Sequence, residues 1–416
     1  MSETTGMGKV RSREPVREQG VFRWEMPEDA LPADHAARLL WRVLGTLDLS
    51  GFIRDAKAVE GQPGRDVLSV RMLLTLWLYA ISVGVGSARE IARRIHGDVV
   101  FRWIVGDQSV GHAKLSEFRV GHAKVLDQLF TDVLGTLLHQ QLLSLELVAQ
   151  DGTRVRASAS APSFRRARTL EECREQAALH VKGVLAEADD PEATEGEKLA
   201  RLAAALDYKR RVEAAIATVQ QLQTEGKKQP RASTTDADAR VMKMADGGFR
   251  PAYNVQLATA GSPMGGPRTI VGVRVTNVGS DMGSVSPMLD DIERRTGHLP
   301  AVLLADANHG DHESIRNAAA RGVTALIPLP TPRAGATGAK ADNDAPIEAW
   351  RARMQTPEAK EQLRARASLC ELPNADFKSR LGLGHLLVRN LGKVTCVVLL
   401  TALAHNLLAH ATKLLA

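Results

Sequence analysis

The amino-acid sequence predicts an α/β protein in which an all-α region precedes a mixed sheet. Apolar residues recur at helical spacing from about residue 31 to residue 143, which is typical of packed helices. From residue 144, short runs rich in β-branched residues alternate with helical segments, an order typical of α/β proteins. An Ala-, Glu-, Arg- and Leu-rich segment at 163–230 then interrupts the strand pattern, so we expect a helical insertion there.

The amino-terminal part divides into a polar arm and a helical domain. Residues 1–28 are polar and contain two prolines, so we expect a flexible arm. Ser69 is placed to cap a helix over 70–83, which is apolar nearly all round and should therefore be central. Ser87 and Glu90 form a capping-box pattern that opens a helix over 88–96. We predict a helical domain over 29–143 and consider it a candidate for DNA binding; packing between helices explains the same pattern.

Several strands are predicted after residue 144. An apolar run at 145–150 ends at Asp151-Gly152, which is a turn pair. Runs at 251–260 and 269–276 should form a hairpin through the glycine-rich 261–267, and further strands are expected at 301–305 and 323–327. A loop is expected at 330–345, followed by helices. The apolar run 397–408 contains His405 and Asn406, and we expect a buried helix too short to span a bilayer.

The amino-acid composition excludes several classes of protein. The chain has 416 residues, 44% of them hydrophobic and 25% charged, which excludes a collagen-like fibre, wholesale disorder and a membrane bundle. Its three cysteines form neither a disulfide framework nor a zinc knuckle, and no apolar leader is visible, so we expect a cytoplasmic protein. The net charge of +6 lies in residues 351–416, which hold 10 basic and 4 acidic residues. That excess fits either a polyanion partner or a solvated helix surface.

Three acidic residues are candidates for a metal site. Asp151 and Asp306 each follow an apolar strand, where a carboxylate reaches the crevice at the carboxyl ends of the strands. Glu371 lies in a helical stretch with Lys378 seven residues further on, so both should share one face. Three carboxylates without His or Cys partners suit Mg²⁺, which in pairs assists phosphoryl transfer. An isolated Asp-Gly after a strand also fits simple turn chemistry.

Other polar residues admit two interpretations. We expect helix caps or salt links from three acids, a turn contact from one histidine and core packing from another; these are Asp236, Asp238, Asp281, His309 and His405. Arg154 and Arg156 alternate along one strand face, where they could meet phosphates or lie at a solvated strand end. Tyr253 could line a DNA channel or pack in the core.

Four segments resemble the bacterial insertion-sequence DDE transposases that have a helical amino-terminal domain. The most specific is Val-Ala-Gln-Asp-Gly-Thr-Arg-Val-Arg-Ala-Ser-Ala-Ser at 148–160, which resembles the first-aspartate motif of that family. Residues 234–256 are similar to its second-strand region. The segments Thr-Asn-Val-Gly-Ser-Asp at 276–281 and Leu-Ala-Asp-Ala-Asn-His-Gly at 304–310 resemble the approach to the second aspartate and its motif.

A Tyr, Arg, Glu, Lys signature of related transposases maps onto Leu363, Arg366, Glu371 and Lys378, with leucine in the tyrosine position. The resemblance implies that Asp151, Asp306 and Glu371 bind catalytic Mg²⁺, for which Mn²⁺ could substitute. It also implies that Arg366 and Lys378 contact DNA; Arg154 and Arg156 join them as candidates.

The resemblance also implies an RNase H-like catalytic core, which we assign to 144–162 and 231–416, with 163–230 as the insertion. The expected function is to cut and join element ends by Mg²⁺-dependent hydrolysis and strand transfer. The expected partners are double-stranded DNA, namely the terminal inverted repeats and the target, and a second copy of the chain in a homodimer or larger synaptic complex. We expect a nucleoid-associated cytoplasmic protein without a membrane partner. The alternatives are an inactive, domesticated DNA-binding regulator and a metal-dependent nuclease without strand transfer.

Overall fold

A computed structural model describes residues 26–53, 67–106, 108–187, 193–262, 264–329 and 344–416. Most of the predicted arm and of the loop at 330–345 lies outside these residues. The part before the sheet is helical, as predicted. Its α-helices are α1 (Ala36–Leu44), α2 (Val70–Ser82), α3 (Ala88–Gly97), α4 (Val99–Val105), α5 (His112–Gly121) and α6 (Ala123–His139).

The remainder of the described chain is mixed α/β. Its strands are β1 (Leu147–Arg156), β2 (Phe164–Arg165), β3 (Ala232–Ser233), β4 (Arg240–Lys243), β5 (Phe249–Ala260), β6 (Thr269–Thr276), β7 (Val302–Leu304) and β8 (Thr324–Leu326). Its helices are α7 (Ala167–Ala186), α8 (Glu195–Thr224), α9 (Val285–Thr296), α10 (His312–Ala320), α11 (Ala345–Arg353), α12 (Pro357–Arg366), α13 (Leu372–Ser379) and α14 (Leu391–Leu414).

Helix α2 is central in the amino-terminal part, as its apolar sequence predicts. The Ser69 hydroxyl accepts a hydrogen bond from the Met72 N–H and so caps the helix. Eleven of its thirteen residues are buried. Trp77 is fully buried, and its indole N–H donates to the Leu115 carbonyl on α5, 3.1 Å away. The buried polar atom therefore has a partner, and α2 and α5 are tied together.

The main sheet combines an antiparallel half with a parallel half. Strand β5 pairs antiparallel with β1 along one edge, and with β4 and then β6 along the other. Strand β1 pairs parallel with β7, which pairs parallel with β8. The predicted hairpin between β5 and β6 is confirmed. Strand β1 lies between the antiparallel half and the parallel half of the sheet. Side chains near its middle therefore face residues from both halves.

Strand β1 corrects one prediction. We expected the strand to end at Asp151-Gly152, but β1 continues to Arg156 because its antiparallel pairing with β5 continues there. Gly152 is opposite Gln256, and a Cβ at position 152 would lie 2.2 Å from Gln256 Nε2 and 2.4 Å from Asp281 Oδ1. The glycine is therefore needed for close packing of polar side chains over the strand, and not for a turn.

Helices α7 and α8 occupy most of the stretch between β2 and β3, so the helical pattern predicted there is confirmed. They pack on each other, and a small apolar cluster of Leu170, Ala215, Val219 and Ala232 lies beneath them. A complete capping box at Thr194 and Glu197 begins α8. The limits of the proposed insertion, 163–230, remain a prediction.

Helix α14 joins the two parts of the molecule. It packs on β6 from the sheet and on α1, α2, α5 and α6 from the helical part. The helix has 24 residues, which is long and apolar enough to cross a membrane, so the expectation that it is too short was wrong. The expectation of burial is confirmed, because 72% of its most apolar 18-residue window lies inside the protein.

Asn406 fixes α14 to the edge of β6. Its side-chain amide donates to the Ile270 carbonyl, and its amide oxygen accepts from the Ile270 N–H, each at 2.8 Å. Asn406 is fully buried. The side chain thus replaces the missing strand on that edge of β6.

We predict that Asn406→Leu lowers the free energy of unfolding by roughly 2–6 kcal/mol, because two buried backbone groups of Ile270 lose their partners at ~1–3 kcal/mol each. Urea denaturation measures the change. Thr401→Val is the control, since the Thr401 hydroxyl bonds only to the Val397 carbonyl of its own helix. Equal denaturation midpoints for the two variants would contradict this role of Asn406.

Candidate active site

Asp151 lies on β1, and Asp306 lies two residues after the end of β7, the parallel neighbour of β1. The β1–β7 register places Ala149 opposite Leu304, and each aspartate stands two residues further along its strand direction. Both side chains are largely buried, with 21% of Asp151 and 29% of Asp306 exposed. The negative charge of Asp306 raises the pKa of Asp151, which is the effect expected of two carboxylates that share one crevice.

The Asp306 carboxylate is held by residues that follow it in the chain. Its Oδ1 accepts from the Asn308 backbone N–H at 3.0 Å and lies 2.5 Å from His309 Nδ1. Its Oδ2 accepts from the Asn308 side chain. Burial alone would raise the pKa of Asp306, but the contacts with His309 and Asn308 outweigh it and lower that pKa to about 2.

His309 connects Asp306 to the middle of the sheet. The side chain is fully buried, and its Nε2 lies 3.2 Å from Gln256 Oε1 on β5. The expectation that His309 stabilises the turn after Asp306 is confirmed. Its other ring nitrogen also ties that turn to β5, so the orientation of the Asp306 carboxylate depends on β5 as well.

Asp151 has the opposite electrostatic environment. Burial is the main cause that raises the pKa of its carboxyl group, and Asp306 adds to the effect. The Arg366 guanidinium, 3.9 Å from Asp151 Oδ1, and a 2.9 Å hydrogen bond from Asn374 Nδ2 to Oδ2 oppose this rise. The net pKa nevertheless lies above the ordinary value, so the ionised carboxylate carries an unfavourable desolvation energy.

Glu371 is placed by a π-helical turn, Ala367–Glu371, between α12 and α13. Such turns insert one extra residue and often occur at functional sites. The Glu371 side chain is 59% exposed, and its Oε1 lies 3.3 Å from Arg366 Nη2. Arg366 therefore lies between the carboxylates of Asp151 and Glu371.

The buried thiol of Cys370 is close enough to all three acids for their charges to affect its pKa. Burial raises the pKa of Cys370, and the charges of Asp151, Glu371 and Asp306 raise it further. Within the described ranges, no three His, Cys, Asp or Glu side chains converge tightly enough to hold a metal ion by themselves. The acids thus share one region, with the Arg366 guanidinium between two of them.

The basic residues singled out in the sequence have different environments. Burial lowers the pKa of Lys378, while the charge of Asp151 raises it, so this lysine lies near the acids. Arg154 forms an ion pair with Asp281, at 3.0 Å, and donates to the Gly279 carbonyl. Arg156 at the end of β1 is exposed. The charge of Arg154 is therefore largely compensated within the fold.

Several polar residues behave as the sequence predicts. Asp236 accepts from the Tyr253 hydroxyl and from the Asn390 N–H, so Tyr253 packs in the core. Asp238 accepts from the Leu391 N–H at the start of α14. The Nε2 of His405 lies 2.8 Å from the Arg268 carbonyl, which makes it a satisfied core histidine.

Asn374 is a site residue that sequence reasoning missed. Its Nδ2 donates to Asp151 Oδ2, while its buried Oδ1 finds no hydrogen-bond partner in the part of the chain that the structure describes. Asn374 lies three residues after Glu371, one helical turn away. That spacing was the available signal, but an asparagine in a helix has many ordinary roles.

Comparisons with known proteins give two matches. A family described as Transposase domain (DUF772) matches residues 25–120, and a family described as Transposase DDE domain matches residues 225–407. The second match includes Asp306 and Glu371. No curated protein and no solved structure matches the chain.

We predict opposite stability effects for the two aspartates in metal-free protein at pH 7. Asp151→Asn should raise the melting temperature, because it removes a charge that burial disfavours. Asp306→Asn should lower it, because the native contacts favour the charge of Asp306. Differential scanning fluorimetry with a chelator measures both.

The Asp306 effect should depend on pH. Its pKa is lowered on folding to about 2, so its contribution is complete above the ordinary value of about 4 and is lost as pH falls toward 2. The melting difference between wild type and Asp306→Asn should therefore shrink over that range. The same sign of change for both variants at pH 7 would contradict the electrostatic assignment.

Proposed function

This chain belongs to the insertion-sequence DDE transposases, and from that premise we propose that it cuts the ends of its element and joins them to target DNA. The observation that carries the proposal is the placement of Asp151 on β1 and of Asp306 just beyond β7, the parallel neighbour of β1, with Arg366 contacting the carboxylates of both Asp151 and Glu371. Phosphodiester hydrolysis and then attack by a DNA 3′-hydroxyl are the two reactions proposed for this site.

The catalytic core is proposed to be RNase H-like and to comprise residues 144–162 and 231–416. Its support is a sheet in which the antiparallel strands β6, β5 and β1 adjoin the parallel strands β7 and β8. The first aspartate lies on β1 and the second directly after β7. The proposed insertion, 163–230, leaves the main sheet after β1 and returns before β4; its strand β2 pairs with β3 outside that sheet, so β1 and β7 remain direct neighbours.

The chemical type of the donors suits Mg²⁺, although the three acids do not converge on one point among the described residues. Asp151, Asp306 and Glu371 offer hard carboxylate oxygens, and the buried Oδ1 of Asn374 is a further hard oxygen without a hydrogen-bond partner. We propose that these residues hold the metal, with Mn²⁺ as a substitute. When bound, divalent ions activate the attacking oxygen and stabilise the leaving oxygen of an in-line displacement. A cation beside Asp151 would also offset the burial and repulsion that raise its pKa.

The remaining groups position the carboxylates and the DNA. Asn374 and Arg366 orient Asp151, while His309 and Asn308 orient Asp306. We propose that Arg366 and Lys378 contact the scissile strand, where their charges favour a phosphate over water. Arg154 and Arg156 extend the proposed DNA contacts along β1. Of the two, Arg154 also forms an ion pair with Asp281.

The proposed partners are double-stranded DNA, both terminal repeats and target, and a second copy of the chain. Two element ends must be held together for joining, so a homodimer or larger synaptic complex is proposed. The helical domain at 29–143 is the candidate reader of the terminal repeats. We propose a cytoplasmic location at the nucleoid, because DNA is the substrate.

One assay distinguishes the alternatives. Purified protein is incubated with end-labelled DNA that carries the element termini, with Mg²⁺ and a target plasmid. We expect joined products; cuts alone would indicate a nuclease without strand transfer, and binding alone would indicate a domesticated regulator. Asp151→Asn should lower cleavage by more than about a hundredfold, because a catalytic metal supplies several kcal/mol.

The matched control is Asp376→Asn. Asp376 is a carboxylate on α13 that pairs with Arg380 on the surface, so its neutralisation should leave cleavage unchanged. Full cleavage by Asp151→Asn would exclude the proposed site.

Asn374→Ala should slow cleavage about 10- to 100-fold, the usual effect of removing a group that orients a metal ligand. We also expect a higher Mg²⁺ concentration for half-maximal cleavage, which a purely structural role would not produce. Ser379→Ala is the control, because that hydroxyl bonds only to the Ala375 carbonyl of the same helix. An unchanged Mg²⁺ dependence in Asn374→Ala would refute the positioning role.

A further inference from the structure

A cavity of about 630 Å³ lies between the amino-terminal helices and the carboxy-terminal part of the chain. One wall is the segment Gly84 to Ser87, before α3, together with Arg119 of α5. The other wall is the segment Gly382 to Leu387, between α13 and α14, with Arg156 and Lys378 beside it. The cavity adjoins the proposed active site, because Lys378 lines the cavity and also interacts electrostatically with Asp151.

Arg119 is the most unusual residue of this cavity. Only 6% of it is exposed, and burial lowers the pKa of its guanidinium. Its Nη1 donates to the Gly86 carbonyl at 2.6 Å, and its guanidinium lies over the Trp77 ring, but no carboxylate pairs with it within the described part of the chain. Among the described residues, its buried Nε has no hydrogen-bond partner. A buried cation with an unused donor is costly unless a ligand completes it.

The rest of the cavity is also basic. Arg156 is exposed, and Lys378 is half-buried. The acid in the lining is Glu90, whose carboxylate already accepts hydrogen bonds from both Arg93 and Arg94, which lower its pKa to about 2. The charges of Arg119, Arg156 and Lys378 therefore remain available to an anion.

The wall itself is built from closely packed glycines. Gly84 and Gly382 both have a left-handed φ of +76°. A Cβ at Gly382 would lie 3.0 Å from the Gly84 carbonyl oxygen, and one at Gly84 would lie 3.1 Å from the Arg380 carbonyl oxygen. These two segments therefore approach each other closely at their backbones, which only glycine permits at these two positions.

We propose that this cavity binds the phosphodiester backbone of the DNA strand that leads into the active site, with Arg119 and Arg156 as phosphate ligands. Guanidinium groups match phosphate oxygens in geometry and charge. Because the cavity is formed by both the helical part and the core, DNA bound there would contact both. This inference rests on the proposed function, since it takes DNA as the substrate.

The test is the salt dependence of DNA binding by the full chain. A fluorescein-labelled 30-base-pair duplex is titrated by anisotropy at several KCl concentrations with a chelator present, so that no cleavage occurs. We expect Arg156→Gln to reduce the slope of log affinity against log salt by about 0.9, the value for one phosphate contact. Arg119→Gln should do the same, and the double variant should lose about 1.8.

Lys114→Gln is the matched control. Lys114 lies on the same helix as Arg119, but it pairs with Glu117 at the surface, so its slope should equal that of wild type. Arg119→Gln could lose stability because Arg119 also contacts Gly86, and a melting curve monitors this. Arg156 is exposed, so its variant tests the cavity even if Arg119→Gln does not fold.

The outcomes separate this inference from the proposed function. Steep, salt-dependent binding by wild type with an unchanged slope in Arg156→Gln would overturn the cavity and leave the transposase proposal intact. Absence of duplex binding by wild type would overturn both. Unchanged DNA binding together with loss of self-association in Arg156→Gln would assign the cavity to an acidic segment of a second copy, and this too overturns the proposal.

Discussion

The burial of helix α14 against the edge of strand β6 is the interaction on which the rest of the structure depends. The apolar side chains of a helix this long must be buried away from water. The sheet and four amino-terminal helices together bury those of α14. Asn406 satisfies the backbone of Ile270, which would otherwise be buried without partners. The helical part and the core therefore share one continuous hydrophobic core, and the basic cavity between them has fixed walls.

Within this structure, the proposed active site contains two aspartates whose environments shift their pKa values in opposite directions. Asp151 is buried against its preference for water, whereas Asp306 is stabilised by Asn308 and His309. The guanidinium of Arg366 compensates part of the excess negative charge between Asp151 and Glu371. A divalent cation held there, as proposed, would offset the electrostatic cost of ionising Asp151.

Local signals in the sequence predicted much of the secondary structure. Ser69 caps α2, the alternating residues around Tyr253 form β5, and the glycine-rich 261–267 connects β5 to β6. Wrong predictions arose where partners distant in sequence decide the outcome. Asp151-Gly152 resembles a turn, yet β5 extends the strand through it. The apolar run at 397–408 looked too short to span a bilayer, yet it lies within α14, a helix of 24 residues.

By itself, the sequence determined the α/β class, the helical front end and the family resemblance, because these depend on periodicity and on short motifs; the three acids are predicted through that resemblance. The tertiary structure alone decided which charges face one another. It brought Asn374 to Asp151, placed Arg366 between two carboxylates, and paired Arg154 with Asp281. It also buried Arg119 in the wall of the basic cavity, where no carboxylate among the described residues pairs with it. Such contacts depend on register and packing between residues far apart in the chain, which no local pattern encodes.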